Sequence, residues 1–293
     1  MIVREPIVAG RFYAAETDRC RVTAENLLSA GGNQAGEMVS GHIYGGLVPH
    51  AGWACSGAVA AKVFAAIGAA RKPRSVVLFG GVHRYRGQEA ALFGSGIWET
   101  PLGPLEIDAR LAERILGHTS LIVDDPYAHE DEHSLEVQAP FVRLLFPQAR
   151  IVPIMVPPRG IADEVGEAVA RTITAYNHDA VIIGTTDLTH YGPHYGFVPE
   201  GVGEKANRWA KDVNDRRLID MVCALRSESV VAEALQHKNA CSSGAVAATM
   251  AACAKLGATK GVLLQHTTSG EVLADQSAPQ MEDSVGYAGI VFT

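Results

Sequence analysis

The segment DAVIIGTTDLTH, residues 179–190, decides the fold. Ala180 to Ile183 form a short apolar run that ends at Gly184 and two threonines, the composition of a buried strand running into a turn. Asp187 and His190 follow at its exit. Working outward, YGGLVP (44–49) reads as a second strand with His50 behind it, and SVVLFGGV (75–82) as a third, leading to His83. ARIVPIMV (149–156), KGVLLQHT (260–267) and SVGYAGIVF (284–292) are further strands. Between them the periodicity turns helical at 56–70, 108–118 (capped by Asp108), 133–146, about 161–177, 203–224, 227–237 and 242–257, the last closed by Gly257. Pro140 should kink its helix or begin a new first turn. This alternation predicts an α/β fold, a mixed and mostly parallel sheet with helices on both faces. No linker or repeat divides the chain, so residues 1–293 are read as one domain.

Composition narrows the function classes. The chain has 293 residues, 47% hydrophobic and 19% charged, enough to bury a large core, and its net charge of −7 disfavours nucleic acid and anionic membrane as partners. Arg4 and Glu5 interrupt the N-terminus before any long apolar run, and no stretch reads as a membrane span. A cytoplasmic protein is expected. The five cysteines are odd in number and contain no CxxC pair, which argues against a disulfide framework or a zinc knuckle.

Ligands of open α/β sheets bind beyond the carboxyl ends of the strands. Three strand exits deliver His50, His83, and Asp187 with His190, groups that serve as metal ligands or as general acids and bases. Cys241, in NACSSGAVAA, stands at or just before a helix start, where thiolate is favoured. The other cysteines read as inert small hydrophobes. The stretch AHEDEHSLEVQ (128–138) satisfies H-E-x-x-H through His129 and His133. A zinc peptidase carries that motif inside one helix, whereas here it straddles a loop and a helix start and lacks a third ligand at the usual spacing. His133 and Glu136 are better placed as walls of a site. Arg84 and Tyr85, beside His83, would orient an anionic or aromatic substrate or make ordinary loop contacts. His194 lies on the long Gly/Pro-rich loop 190–204, of a size typical of lids and binding loops. His266 ends a strand, and His42, His118, His178 and His237 have surface or helix-end contexts.

Taken together, these motifs resemble the Memo family, also called AmmeMemoRadiSam system protein B. REPIVAGRFYAA, VPHAGWACSG, EDEHSLEVQAPF, GTTDLTHYG, ACSSGAVAA and VGYAGIVF match its blocks in order, nearly end to end. Ser242 departs from the glycine expected after the family cysteine. The resemblance implies a fold similar to class III extradiol ring-cleaving dioxygenases, with a cysteine replacing the carboxylate of their Fe(II) site. It implies His50, His83 and Cys241 as metal ligands, His190 as the acid–base group with Asp187, and His133 and Glu136 as pocket residues; Tyr85, beside His83, and His194, on the long loop, are expected as further substrate contacts from their own positions. Fe(II) is the expected metal, with copper or zinc as alternatives. An oxidoreductase is the first functional expectation. A non-enzymatic metal- or peptide-binding protein working with radical-SAM and AMMECR-type partners, or a metal-assisted hydrolase, are the others.

Overall fold

Ala180–Thr185 forms a strand at the centre of a nine-stranded sheet. The computed structural model describes residues 2–35, 39, 41–274 and 282–293. In chain order the strands are β1 (Val3–Arg4), β2 (Gly45–Val48), β3 (Ser75–Gly80), β4 (Ala90–Leu92), β5 (Ile97–Trp98), β6 (Leu105–Glu106), β7 (Ile122–Asp124), β8 (Arg150–Met155), β9 (Ala180–Thr185), β10 (His190–Tyr191), β11 (Gly261–Thr268) and β12 (Ser284–Phe292). The large sheet runs β10-β12-β2-β9-β3-β8-β4-β7, with β11 added on β12, while β1, β5 and β6 form a small sheet. β2, β9, β3 and β8 are mutually parallel. β12 is antiparallel to β2, and β4 to β8. The fold is therefore mixed and mostly parallel, as the alternation of elements predicts.

Successive strand residues feed opposite cores. Val76 and Leu78 face one, Val77 and Phe79 the other; Val181 and Ile183 oppose Ala180 and Ile182 in the same way. That is the period of two of a strand buried on both faces. Helices Thr17–Ala35, Trp53–Ala70 and Ala139–Leu145 cover the first core through Cys20, Ala24, Leu28, Phe64 and Phe141. Helices Ala109–His118, Ala162–Ala175 and Ser243–Leu256 cover the second through Leu111, Val165 and Ala245. Asp108 caps its helix as expected, accepting from the Leu111 amide at 3.0 Å.

Two sequence expectations change. The helix proposed for 133–146 begins only at Ala139, after a 3-10 turn at Glu136–Gln138, with Pro140 in its first turn, where the missing N–H has no intrahelical partner to lose. The stretch 203–224 contains a π-helical turn at Ala210–Asp215 between Glu204–Trp209 and Arg216–Cys223. Among the described residues one helix, Trp53–Ala70, is long and apolar enough to cross a membrane; 56% of it is buried inside the protein, which marks it as a core helix by the contacts it makes.

Candidate metal centre

β2, β9 and β3 are neighbours and parallel, so their carboxyl ends open side by side. His50, Asp187 and His83 therefore meet at one edge although 137 residues of chain separate the first two. His50 is 1% exposed, with Nδ1 3.1 Å from Thr185 Oγ1. One Asp187 carboxylate oxygen accepts from the amides of His50 and Ala51, at 2.8 and 3.3 Å, and holds the turn that carries the imidazole. His83 Nδ1 lies 2.9 Å from Glu132, whose other oxygen accepts the His83 amide at 3.0 Å. Glu132 is buried and also accepts the Ser134 amide, so its position is fixed from both sides. With Nδ1 engaged on each ring, the Nε2 atoms are left to face inward.

His133 completes the group. Its ring centroid is 4.6 Å from that of His83 and 5.5 Å from that of His50. One nitrogen from each of His50, His83 and His133 lies within 4.8 Å of the others, close enough for a single ion to be held. Cys241 arrives from the turn before helix Ser243–Leu256. Its Sγ is 3.1 Å from His50 Nε2 and accepts the Asp187 amide at 3.2 Å. The Cys241 amide returns a bond to the Asp187 carbonyl at 3.1 Å. Ser242 fits its turn by donating its amide to Thr186 Oγ1 at 3.2 Å.

The Memo-like protein family model matches residues 4–291. The chain belongs to the Memo family. MEMO1 family proteins of Caldivirga maquilingensis, Methanopyrus kandleri and Methanothermobacter thermautotrophicus are 33%, 35% and 37% identical to it, over 100%, 99% and 98% of this chain and 99%, 98% and 99% of theirs. Among solved structures, the crystal structure of the uncharacterized protein JW3007 from Escherichia coli K12 superposes with a TM-score of 0.51 at 9% identity, covering 85% of this chain and 99% of that one. That likeness concerns the fold alone.

In this Memo-family chain the electrostatics favour a charged sulfur. Cys241 is an exposed residue whose sulfur sits against His50; desolvation there would push the thiol up, but the His50, His83 and His190 side chains outweigh it and hold the thiol well below its ordinary range. Burial would lower His50, yet Cys241 and Asp187 raise it; His83 is raised against its own burial by Cys241 and Glu132. His133 goes the other way. Burial and the charges of His50 and His83 push it down to about 4, leaving the neutral imidazole that ligates metals. Two imidazoles beside a thiolate, with a third imidazole at hand, is a donor set suited to borderline and soft transition metals and poorly suited to Mg²⁺.

A cleft of about 360 Å³ opens over His83 and His133, walled by Ile7, Val8 and Phe12 with Arg11, Arg84 and Asp131 at its rim. The remaining expected site residues divide. His190 pairs with Val285 as β10, and its ring meets Tyr195 edge-on at 5.0 Å. The Asp187 carboxylate, expected to orient His190, bonds the His50 turn instead, although the charge of His190 acts on it. His194 is exposed on the loop, its amide held by Asp283, and Tyr85 packs on the core beside His83 without lining the cleft. Glu136 is not a pocket residue here: it is 1% exposed, and its two oxygens are taken by Arg4, the amides of Ile7 and Val8, and the Tyr13 hydroxyl. It fastens the N-terminal segment that walls the cleft. Sequence reading missed Glu132 as the partner of His83; its position between two histidines of one motif was the available signal.

Proposed function

We propose that this Memo-family protein is a metal-dependent oxidoreductase that holds Fe(II), or copper, with His50, His83 and Cys241. The observation that carries the reading is the convergence of His50, His83 and His133 within 4.8 Å, with the Cys241 sulfur against His50. A bound ion of this class supplies redox chemistry and open positions for O₂ or substrate. The chain's own side chains do the rest. Glu132 and Thr185 fix the two imidazoles through Nδ1, as outer partners of metal-bound histidines do. His133 closes the third side of the cluster and forms the floor of the cleft with His83. His190 moves a proton to or from the substrate, while the Asp187 carboxylate holds the His50 turn and feels the charge of His190. Ile7, Val8 and Phe12 shield the reacting side from water, and the substrate is a small molecule or a peptide side chain that enters over His83.

The test is anaerobic loading with Fe(II), metal analysis, and O₂ uptake with catechols and thiols. One iron per chain and O₂ consumption, both lost in His83→Ala, is the expected result. Iron retained by His83→Ala would overturn the site. Metal bound without turnover on any substrate would favour a second reading, a non-enzymatic binding protein acting with radical-SAM and AMMECR-type partners. Hydrolysis of esters or peptides by the metal-loaded protein would favour a metal-assisted hydrolase instead.

A further inference from the structure

Asn214 and Asp215 take no part in the cluster just described, yet they are 0% and 1% exposed and lie in the π-helical turn Ala210–Asp215. Neighbouring side chains on a regular α-helix point about 100° apart. Here both reach Thr189, an arrangement that the wider turn allows. The Asp215 carboxylate accepts the Thr189 amide at 2.9 Å and meets His266 Nε2 at 3.0 Å. Asn214 Nδ2 donates to Thr189 Oγ1 at 3.1 Å and to the His237 carbonyl at 2.9 Å. The Asn214 carbonyl accepts from Asn239 Nδ2 at 3.0 Å. β12 closes over the pair: Gly286 donates to the Thr189 carbonyl, and a Cβ at Gly286 would collide with the Asp215 carboxylate.

Two loops end at these side chains. One is 186–190, which carries Asp187 and His190. The other is 237–241, which carries Cys241. The loops are also bonded to each other, Cys241 amide to Asp187 carbonyl and Asp187 amide to Cys241 sulfur. We propose that Asn214 and Asp215 are the positioning pair of this centre, one buried unit that sets where His190 and the Cys241 sulfur stand relative to His50. They touch neither substrate nor metal and act through Thr189, His237 and Asn239. The functional meaning rests on the metal-centre reading above, since misplacing a reactive group by about 1 Å can cost on the order of 100-fold.

The experiment has two arms and uses the near-isosteric variants Asn214→Asp, which loses the donor to His237 and Thr189, and Asp215→Asn, which keeps an acceptor for the Thr189 amide. In the first arm, hydrogen exchange on metal-free protein should show the Thr189 and Cys241 amides exchanging at least about 10-fold faster in Asn214→Asp, with helix Ser243–Leu256 unchanged; Asp215→Asn should retain most of the protection. Faster exchange confined to 204–223, or spread evenly over the chain, overturns the proposal. The second arm titrates Co²⁺ and follows the sulfur-to-metal charge-transfer band. Wild type should give the band, and Asn214→Asp should weaken binding about 10-fold or more with Asp215→Asn closer to wild type. Unaltered Co²⁺ binding in a variant whose two loops have loosened also overturns it. Wild-type protein that gives no band with Co²⁺ rejects the metal reading, while the exchange arm still decides whether the pair couples the two loops.

Discussion

His129 and His133 lie four residues apart in one acidic stretch and end in opposite surroundings. The His129 ring is fully buried against the edges of Phe93 and Trp98, at 5.6 and 5.8 Å, with Nε2 3.1 Å from the Ala91 carbonyl. Burial and the nearby Arg4 guanidinium push it down to about 3. His133 instead looks onto His50 and His83 and is a quarter exposed. The reason is local conformation. Two histidines at i and i+4 share a face only on a continuous helix. Pro126–His129 is a 3-10 turn, and regular helix does not resume until Ala139, so the rings part company. Spacing in sequence has chemical meaning only through the secondary structure that carries it.

Arg4 is where this contrast is most easily broken. Its guanidinium binds the His129 carbonyl, the Glu132 carbonyl and the Glu136 carboxylate, and lies 4.3 Å over the Trp98 ring. Arg4→Met leaves the Glu136 carboxylate without its cation, so denaturation in urea is expected to show a loss of about 3–5 kcal/mol; a loss under about 1 kcal/mol would mean that Arg4 does not hold the segment. Next come the cluster residues. His83→Ala should lower metal affinity by more than about 100-fold and His129→Leu hardly at all, since outer partners alone are worth roughly 10–100-fold. Equal losses from the two, measured by metal competition, would restore the peptidase-like pairing of 129 with 133. Glu132→Gln, which keeps the shape but loosens His83, should fall in that 10–100-fold range; no change would remove Glu132 from the centre. The last test concerns pH. His129 has a depressed folded value, so the unfolded chain takes up its proton first, and stability that is full above about 6.5 is lost as pH falls towards about 3. In His129→Leu the stability curve of metal-free protein should be flatter across that window, and an unchanged slope would assign the acid sensitivity to other groups.

Much of this was legible in the sequence, for identifiable reasons. Ala180–Ile183 are apolar on both faces and end in Gly-Thr-Thr, so the central strand and its exit residues could be read directly. His50 and His83 follow from the same logic at their own strand ends. Helix Thr17–Ala35 was not read, although Cys20, Ala24 and Leu28 recur every four residues on its buried side; Gly31, Gly32 and many polar positions dilute the pattern. β1, β5 and β6 have two residues each, too few for any period to show. The role of Glu132 depends on a contact 49 residues away, and the buried contacts of Asn214 and Asp215 depend on Thr189, 25 and 26 residues away.

The side chains at positions 50, 83, 133 and 241 are contributed by chain segments that only the finished sheet unites. An ion cannot gather them early, as it can gather the neighbouring cysteines of a zinc knuckle, because closing loops that long precedes any reward. Any metal held there should therefore act as a latch on a completed molecule. Refolding rates are expected to be indifferent to added Co²⁺, whereas spontaneous opening should become slower by the full factor of its binding.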